Sequence, residues 1–268
     1  MRAVELAGKV ALVTGASRGV GKALALALVR EGVRVACAAR ATDASPLKLP
    51  GTIDETVREC RALGGEALAV PTNLAVEDEV VRMVEKTVEH FGRIDILVNN
   101  AAITFPGDLH IPLKRYDLIM NVNLRAPFVA IRTVVPFLTA QKSGAIVNVS
   151  SAAALHPFPG LMAYGMSKAA LERLTLDVAE QLRPHGIAVN CFRIDVPVAS
   201  EGFVANLPDA DHSSWEPTEV PAEGIVWMLR QPPDYTGQLA SMQELRRKYG
   251  IMPSRAKRPF DGNLPPVG

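Results

Sequence analysis

Residues 10–30 read VALVTGASRGVGKALALALVR. The opening Val-Ala-Leu-Val is a continuous apolar run, typical of a strand that is buried on both faces. A turn follows, Thr14-Gly15-Ala16-Ser17-Arg18-Gly19-Val20-Gly21, and the Ala- and Leu-rich residues 22–30 predict a helix that ends at Glu31-Gly32. Glycines let the backbone approach a pyrophosphate, to which a helix N-terminus presents amide donors. This order of strand, turn and helix favours a dinucleotide-binding α/β fold over a tight turn without a ligand.

Further apolar runs of strand length lie at residues 33–39, 66–71, 95–98, 145–149 and 187–192, with a short last one after Gln238. Helical patterns alternate with them at residues 53–63, 76–91, 113–138, 162–183 and 218–229. The alternation predicts a single-domain Rossmann fold, a doubly wound parallel sheet of about seven strands flanked by helices. We assign residues 1–245 to this domain, with a long substrate loop at 193–216. Residues 246–268 form a basic, proline-rich C-terminal tail.

The composition excludes several classes of function. The 268 residues carry a net charge of +1, so no global field attracts nucleic acid or an anionic membrane. No apolar run reaches the roughly 18 residues of a membrane span, and we expect no membrane partner. The three cysteines are scattered and odd in number, which argues against a disulfide framework and favours a reducing cytoplasm. The basic tail is expected to lie on the protein surface or on a neighbouring subunit.

The second predicted strand ends at Arg40, where dinucleotide folds often carry an acidic residue for the ribose 2′-hydroxyl. Arg40 and Arg18 would instead hold a 2′-phosphate through charge-assisted hydrogen bonds, which favours NADP(H) over NAD(H). Two alternatives remain. In the first alternative, both arginines are solvated surface charges that bind no phosphate. In the second, Asp43 turns back to bind the ribose of NAD(H).

Tyr164 and Lys168 lie four residues apart in the predicted helix 162–183, on one face. A cation beside a phenol favours the phenolate, so we expect a lowered pKa for Tyr164 and a usable acid or base. An ordinary buried tyrosine beside a surface lysine is the alternative. Ser150 and Ser151 end a predicted strand, which brings at least one hydroxyl to the carboxyl edge of the sheet, where α/β proteins bind ligands.

Asparagines mark two further positions. Asn99-Asn100-Ala101-Ala102 follows the fourth predicted strand, where the amides bridge loops and cofactor or cap the turn. Asn123 lies inside an otherwise apolar helix, and its amide destabilises that helix unless a partner satisfies it.

Taken together, these residues resemble the short-chain dehydrogenase/reductase family, classical type, over about Gly8 to Gly237. The motifs are Thr14-Gly15-x-x-x-Gly19-x-Gly21, Asn99-Asn100-Ala101, Asn123, Ser151 and Tyr164-x-x-x-Lys168, in the family's order. Residues 49–53 and 62–68 bear a weaker resemblance to its hydroxysteroid dehydrogenase-like group. Ser151 lies 13 residues before Tyr164, which is the family's spacing, and the resemblance therefore selects Ser151 over Ser150.

The resemblance implies a role for each of the four catalytic residues. Tyr164 exchanges a proton with the substrate oxygen, and Lys168 lowers the pKa of Tyr164 and binds the nicotinamide ribose. Ser151 hydrogen-bonds the carbonyl oxygen of the substrate. Asn123 holds a water in a proton relay to Lys168, and this role supplies the hydrogen-bond partner that the Asn123 amide needs. The implied cofactor-binding residues are Gly15, Ser17, Arg18, Gly19, Val20, Gly21, Arg40, Asn73, Leu74, Asn100, Ala101, Tyr164, Lys168, Ile194, Val196 and Ser200.

The sequence departs from the family pattern at three places. Asn73 stands where an aspartate usually contacts the adenine, and Ala102 replaces a glycine. Ile194-Asp195 replaces the customary Pro-Gly, and Ser200 is the nearest substitute for a cofactor-binding threonine. These changes affect the loop on the nicotinamide side and leave the four catalytic residues intact.

The resulting hypothesis is an NADP(H)-dependent oxidoreductase that transfers hydride between nicotinamide and the carbonyl or secondary alcohol of a hydrophobic small molecule. The apolar pocket walls would include Phe105, Phe158, Val196, Val198 and Phe203. A catalytically silent NADP(H)-binding scaffold is the rival, and dehydratase or epimerase chemistry usually needs a larger substrate domain. The family implies a homodimer or homotetramer, joined through the helices that begin near Leu113 and Met162.

Overall fold

The computed structural model describes residues 3–262, and within them a seven-stranded, all-parallel sheet has the order β3-β2-β1-β4-β5-β6-β7. The strands are β1 Val10–Thr14, β2 Arg34–Ala39, β3 Ala67–Pro71, β4 Ile96–Asn99, β5 Gly144–Ser151, β6 Ile187–Ile194 and β7 Leu239–Ser241. The helices are α1 Gly19–Arg30, α2 Ile53–Ala62, α3 Glu77–Phe91, α4 Leu113–Met120, α5 Ala126–Gln141, α6 Met162–Leu182, α7 Glu201–Asn206, α8 Glu219–Leu229 and α9 Met242–Tyr249. The predicted doubly wound fold is confirmed.

Apolar residues cover both faces of the sheet, which is why its strands read as continuous hydrophobic runs. Residues of α1, α2, α8 and α9 form the core on one face, and those of α3, α5 and α6 form it on the other. The chain reverses its winding between β1 and β4, which pair directly. Loops at the carboxyl ends of these two strands therefore border the crevice in which such sheets bind ligands.

The predicted single helix 113–138 is interrupted in the structure. A π-helical turn at Asn121–Arg125 separates α4 from α5, and π-turns of this kind are frequent at functional sites. By length and composition alone, the helical stretch Leu113–Gln141, which includes α4, the π-helical turn and α5, is apolar enough to cross a membrane. Of its most apolar window of 18 residues, 44% is buried within the protein.

The predicted boundary of the C-terminal tail falls inside a helix, because α9 continues to Tyr249. A capping box between Ser241 and Glu244 starts that helix, and Gly250 ends it in a left-handed conformation. Residues 250–262, which we call the C-terminal arm, fold back onto the same chain, where Met252 is buried against α8. Residues 263–268 of the predicted tail lie outside the described residues.

All three cysteines are buried as free thiols, in keeping with the prediction that they form no disulfide framework.

Candidate active site

The glycine-rich turn after β1 has no room for side chains at two of its glycines. A Cβ on Gly15, whose φ is +69°, would lie 2.8 Å from the Cα of Ala101. A Cβ on Gly21 would lie 2.3 Å from the carbonyl oxygen of Gly15. Both positions therefore require glycine, since real Cβ atoms do not approach that closely.

The predicted Asn-Asn-Ala segment locks onto this turn. The side-chain amide of Asn100 donates to the carbonyl oxygen of Thr14 at 2.8 Å, and the backbone amides of Asn100 and Ala101 both donate to the Thr14 hydroxyl at 3.1 Å. Asn99 points the other way and donates to Asn148 in β5 at 2.9 Å. Asn100 and Ala101 thus bridge β1 and β4 at the crevice, whereas Asn99 joins strands inside the core.

The start of α1 suits an anionic group. Arg18 occupies the N-cap position, and an arginine has no acceptor with which to cap the first amides. The first turn contains no acidic side chain, so the positive end of the helix dipole meets the turn unopposed from within the helix. The cradle formed by Gly15, Gly19 and Gly21 therefore fits the diphosphate of a dinucleotide. Val20 is buried behind it, in the core beneath α1.

Two residues of the substrate loop lie close to the glycine-rich turn. A Cβ on Gly19 would lie 3.2 Å from the Cβ of Ser200 and 3.6 Å from Oε2 of Glu201. The predicted Ser200 therefore stands at the cofactor turn, where its hydroxyl caps α7 by accepting from the amide of Phe203. Oε2 of Glu201 is buried without a hydrogen-bond partner among residues 3–262. A carboxylate at this point opposes the binding of an anion.

The two arginines predicted to hold a 2′-phosphate share one region. Arg18 donates to the carbonyl oxygen of Gly51 at 3.2 Å, and its pKa is lowered by burial and by the charge of Arg40, while Glu201 raises it. Arg40 itself is exposed at the end of β2. Asp43 is engaged elsewhere, because its carboxylate accepts from Thr52 and Arg58, each at 2.6 Å. These two bonds hold the Asp43 carboxylate in place and oppose the alternative in which it turns to bind the ribose.

Ser17 is buried beneath the loop between β2 and α2, because a Cβ on Gly51 would lie 2.4 Å from the Ser17 carbonyl oxygen. That approach closes the loop over the glycine turn, where the adenosine end of a dinucleotide would lie.

Tyr164 and Lys168 meet as the helical spacing predicts. The Nζ of Lys168 lies 5.6 Å from the centre of the Tyr164 ring and donates to the carbonyl oxygen of Val149 in β5 at 2.7 Å. Lys168 is 2% exposed, and burial lowers its pKa to about 8. An ammonium of this pKa is mostly protonated at neutral pH, so it supplies positive charge beside the phenol.

The expected fall in the pKa of Tyr164 is wrong for this structure. Burial raises the pKa of the phenol, and a hydrogen bond with Ser151 partly offsets that rise. The phenol is therefore held as an acid at neutral pH. Ser151 faces Tyr164, whereas the neighbouring Ser150 is buried and donates to Glu172 at 2.7 Å. Alternation along β5 separates the two hydroxyls, in agreement with the choice of Ser151.

The proposed water does not supply the partners of Asn123. Its amide accepts from the backbone N–H of Ile103 and donates to the Ile103 carbonyl oxygen, each at 2.9 Å, and donates to the Ser167 hydroxyl at 3.1 Å. The side chain is completely buried. Asn123 therefore fastens the loop after β4 to α6, one residue from Lys168, and its side-chain amide has no donor left for a relay.

Other residues that were predicted to bind the cofactor have side chains that contact the protein itself. The side-chain oxygen of Asn73 accepts from the amide of Ala75 at 3.2 Å, and Leu74 packs on the core near α3. Ile194 packs on the opposite core. Val196 and Val198, both predicted to line the site, are buried in that core at 4% and 5% exposure. Their contact with the cofactor or the substrate stays a prediction.

A buried ion pair behind the site was missed from the sequence. Arg193 at the end of β6 donates to both oxygens of Glu172 in α6, at 2.8 and 2.7 Å. Glu172 lies one turn after Lys168 and also accepts from Ser150. The only signal in the sequence was the i, i+4 spacing of Lys168 and Glu172, which is common on exposed helix faces.

Gly165 was also missed. A Cβ there would lie 2.8 Å from the carbonyl oxygen of Ala153, so the glycine lets α6 approach the short 3-10 turn at Ala152–Ala154. That approach brings Ser151 onto Tyr164.

Comparison with known proteins agrees with this geometry. The sequence profile of the short chain dehydrogenase family matches residues 9–196. Hydroxysteroid dehydrogenase-like protein 2 from Danio rerio is 35% identical over 250 residues, which is 92% of this chain and 60% of that protein. The chain thus spans between 47% and 60% of the length of such curated relatives.

Two solved structures cover the chain more fully. A short chain dehydrogenase from Mycobacterium thermoresistibile is 30% identical with a TM-score of 0.83, and the match covers 98% of this chain and 97% of that one. A metagenomic short-chain oxidoreductase, solved in complex with NADP, is 30% identical with a TM-score of 0.74, over 89% of this chain and 99% of that one. The ordered motifs, the sheet topology and these matches together establish that the chain belongs to the short-chain dehydrogenase/reductase family of nicotinamide-dependent oxidoreductases.

Proposed function

We propose that the protein transfers hydride between NADP(H) and the carbonyl or secondary alcohol group of a hydrophobic small molecule, with Tyr164 as general acid and base. The observation that carries this proposal is the assembly of Tyr164, Ser151 and Lys168 at the carboxyl edge of the sheet. The bound nicotinamide would supply the hydride, and the protein supplies position and electrostatics.

The roles of the side chains follow from their environments. Burial keeps the Tyr164 phenol protonated, so it donates a proton to a carbonyl oxygen during reduction. The Ser151 hydroxyl, within hydrogen-bonding reach of the phenol, orients the same oxygen. The ammonium of Lys168 stabilises the phenolate that remains, and its bond to Val149 holds it in place. In the oxidative direction the same groups act in reverse.

NADP(H) is the preferred cofactor in this proposal. Arg18 and Arg40 lie close enough for the charge of Arg40 to lower the pKa of Arg18. Two positive charges at the end of β2 suit a 2′-phosphate, while Asp43 is tied to Thr52 and Arg58. The metagenomic relative was solved with NADP.

A hydrophobic substrate fits the loops that surround Tyr164. The loop after β4 meets the loop after β5, where the amide of Gly107 donates to the carbonyl oxygen of Gly160 at 2.9 Å. Phe105 and Phe158 on these loops, and Phe203 in the substrate loop, are partly exposed. Ring surfaces of this kind favour an apolar ketone, aldehyde or secondary alcohol.

We extend the proposal to assembly and location. Exposed apolar side chains line α5 and α6, among them Phe128 and Met166 at 49% and 48% exposure. Burial of these two helix faces in a homodimer or homotetramer would remove that surface from water. Size-exclusion chromatography with light scattering measures the assembly. A cytoplasmic location is proposed from the three free thiols.

The test is a panel of hydrophobic ketones, aldehydes and secondary alcohols, assayed by the absorbance of the reduced nicotinamide with NADPH and with NADH, or with the oxidised cofactors for alcohols. We expect turnover of at least one class, and about a thousandfold less in a Tyr164→Phe preparation purified identically. If NADPH binds to the wild-type protein but a broad panel shows no turnover, the catalytically silent scaffold becomes the better description.

A further inference from the structure

Glu216, the last residue of the substrate loop, is a buried carboxylate with charged partners. It is 2% exposed; Oε1 accepts from the guanidinium of Arg246 in α9 at 2.7 Å, and Oε2 accepts from the backbone amide of Arg255 at 2.9 Å. Burial by itself raises the pKa of this carboxyl, but hydrogen bonds from Ser254, Arg255 and Arg246 outweigh it and lower the pKa. Glu216 is therefore ionised at neutral pH.

The backbone of Glu216 closes the substrate loop at its base. Its amide donates to the carbonyl oxygen of Pro197 at 2.9 Å, and its carbonyl oxygen accepts from the amide of Ala199 at 2.8 Å. These bonds form an isolated parallel bridge between Val198 and Glu216. One residue thus joins the two ends of the loop through its backbone and the C-terminal arm through its side chain.

The arm is anchored in the core of the domain. The Nε of Arg246 donates to the carbonyl oxygen of Met252 at 2.6 Å. Met252 is 3% exposed and packs so tightly on α8 that a Cβ on Gly224 would lie 2.1 Å from its sulfur. Arg246 therefore binds the loop and the arm with the same guanidinium, which a fork of donors makes possible.

The arm contacts the loop a second time, nearer the tip. The amide of Arg258 donates to the carbonyl oxygen of Ser213 at 3.1 Å, and its guanidinium pairs with Asp211 at 2.7 Å. Unlike the buried contacts of Glu216, this pair is exposed, so its own contribution to stability is small.

The loop held in this way reaches the candidate active site. Trp215, next to Glu216, stacks on Phe203 with ring centres 4.6 Å apart. Ser200 and Glu201, just before Phe203, lie against Gly19 of the cofactor turn. A shift of Glu216 would therefore move the aromatic pair and the residues that face the turn.

We propose that Glu216 is a positioning residue through which the C-terminal arm fixes the substrate loop over the cofactor turn. The arm then influences which substrates are accepted without touching them. The effect on substrate choice rests on the proposed function, whereas the effect on the loop does not.

The test compares Glu216→Gln with Glu223→Gln in the full-length protein. Both variants remove one negative charge that contacts Arg255, but Glu223 pairs with it at the surface of α8, outside the loop. Amide hydrogen exchange followed by mass spectrometry reports on each segment. We expect exchange at residues 199–215 to rise by about tenfold or more in Glu216→Gln, with β1 to β5 unchanged and Glu223→Gln like the wild type.

A second variant distinguishes a local effect on the substrate loop from a general loss of folding. Arg258→Ala removes only the exposed contact, and we expect a smaller rise limited to residues 207–214. Unchanged loop exchange in Glu216→Gln overturns the proposal, and so does an equal rise throughout the sheet, which would mark a merely structural residue. Where a substrate is known, KM should rise more than kcat falls. If the panel yields no substrate, only the proposed function fails, because the exchange experiment needs none.

Discussion

The ammonium nitrogen of Lys168 lies 5.6 Å from the centre of the Tyr164 ring, one turn along α6. Both side chains are largely withdrawn from water, which favours the neutral form of each: burial raises the pKa of the phenol and lowers that of the ammonium to about 8. At neutral pH this yields a protonated acid next to a positive charge, the combination that proton donation to a carbonyl oxygen requires.

The buried ammonium also makes stability depend on pH. The pKa of Lys168 is about 8 in the folded protein against an ordinary value of 10.5, so the unfolded state binds more protons between these values. The free energy of unfolding therefore rises with pH between these two pKa values. Below the lower value, the full free-energy cost of burying the ammonium is present. Relative to Lys168→Met, the wild type should gain up to about 3 kcal/mol in free energy of unfolding between pH 7.5 and 10.5. Urea denaturation of both proteins at several pH values measures this. A constant difference would show that the lysine keeps its ordinary pKa.

The buried pair of Glu172 and Arg193 should be costly to break from one side. Arg193→Met leaves an uncompensated carboxylate beneath Lys168, and we expect a loss of about 3–5 kcal/mol in the free energy of unfolding. The double variant Glu172→Leu/Arg193→Met should recover part of that loss, because neither member of the pair is left without the other, while Lys168 loses the nearby carboxylate charge that favours its ammonium. Guanidinium denaturation measures both. A loss below about 1 kcal/mol in the single variant would mean that water reaches the pair.

Patterns local in sequence predicted the architecture and the central residues of the site. The continuous strands, the glycine turn and the four-residue spacing of Tyr164 and Lys168 each reflect a geometry that neighbouring residues determine. Ser151 was selected over Ser150 by the spacing between serine and tyrosine that the family resemblance implies. These positions were predictable because the residues that constrain them lie nearby in the chain.

Contacts between distant segments could not be predicted in this way. Arg193 meets Glu172 through the packing of β6 against α6, and Glu216 meets Arg246 through the packing of α9 against the substrate loop. The partners of Asn123 lie 20 residues before it and 44 after it. Val196 shows the complementary ambiguity, since an apolar residue in a predicted loop indicates burial equally against a ligand or against the core. Its side chain packs in the core, and its contact with the cofactor stays a prediction.

The cofactor preference can be tested at Arg40. NADPH should bind more tightly than NADH, and Arg40→Ala should weaken NADPH binding by about tenfold or more while leaving NADH unchanged, because only NADPH carries the 2′-phosphate. Titration of nicotinamide fluorescence gives both dissociation constants. Arg183→Ala is the control, since Arg183 is an exposed arginine paired with Glu180 after the far end of α6. Equal affinities of the wild type for the two cofactors would contradict the role of both arginines.

Glu201 should oppose cofactor binding. Its carboxylate oxygen, which has no hydrogen-bond partner within residues 3–262, lies beside the glycine turn, where it repels a diphosphate. Replacement by glutamine keeps the shape and removes the charge, so Glu201→Gln should bind NADPH about threefold to tenfold more tightly. Isothermal titration calorimetry measures the change, with Glu219→Gln in the exposed first turn of α8 as control. Unchanged or weaker binding in Glu201→Gln would show that the carboxylate turns away from the bound cofactor.

The most direct test of the catalytic assignment is Tyr164→Phe, which deletes the phenolic oxygen and little volume. Two quantities should be measured on one preparation: the NADPH dissociation constant, and kcat/KM for the best substrate of the panel. The assignment predicts binding within about twofold of the wild type and a fall in kcat/KM of about a thousandfold, the scale of a lost general acid. A variant that binds NADPH normally and retains wild-type turnover would contradict it.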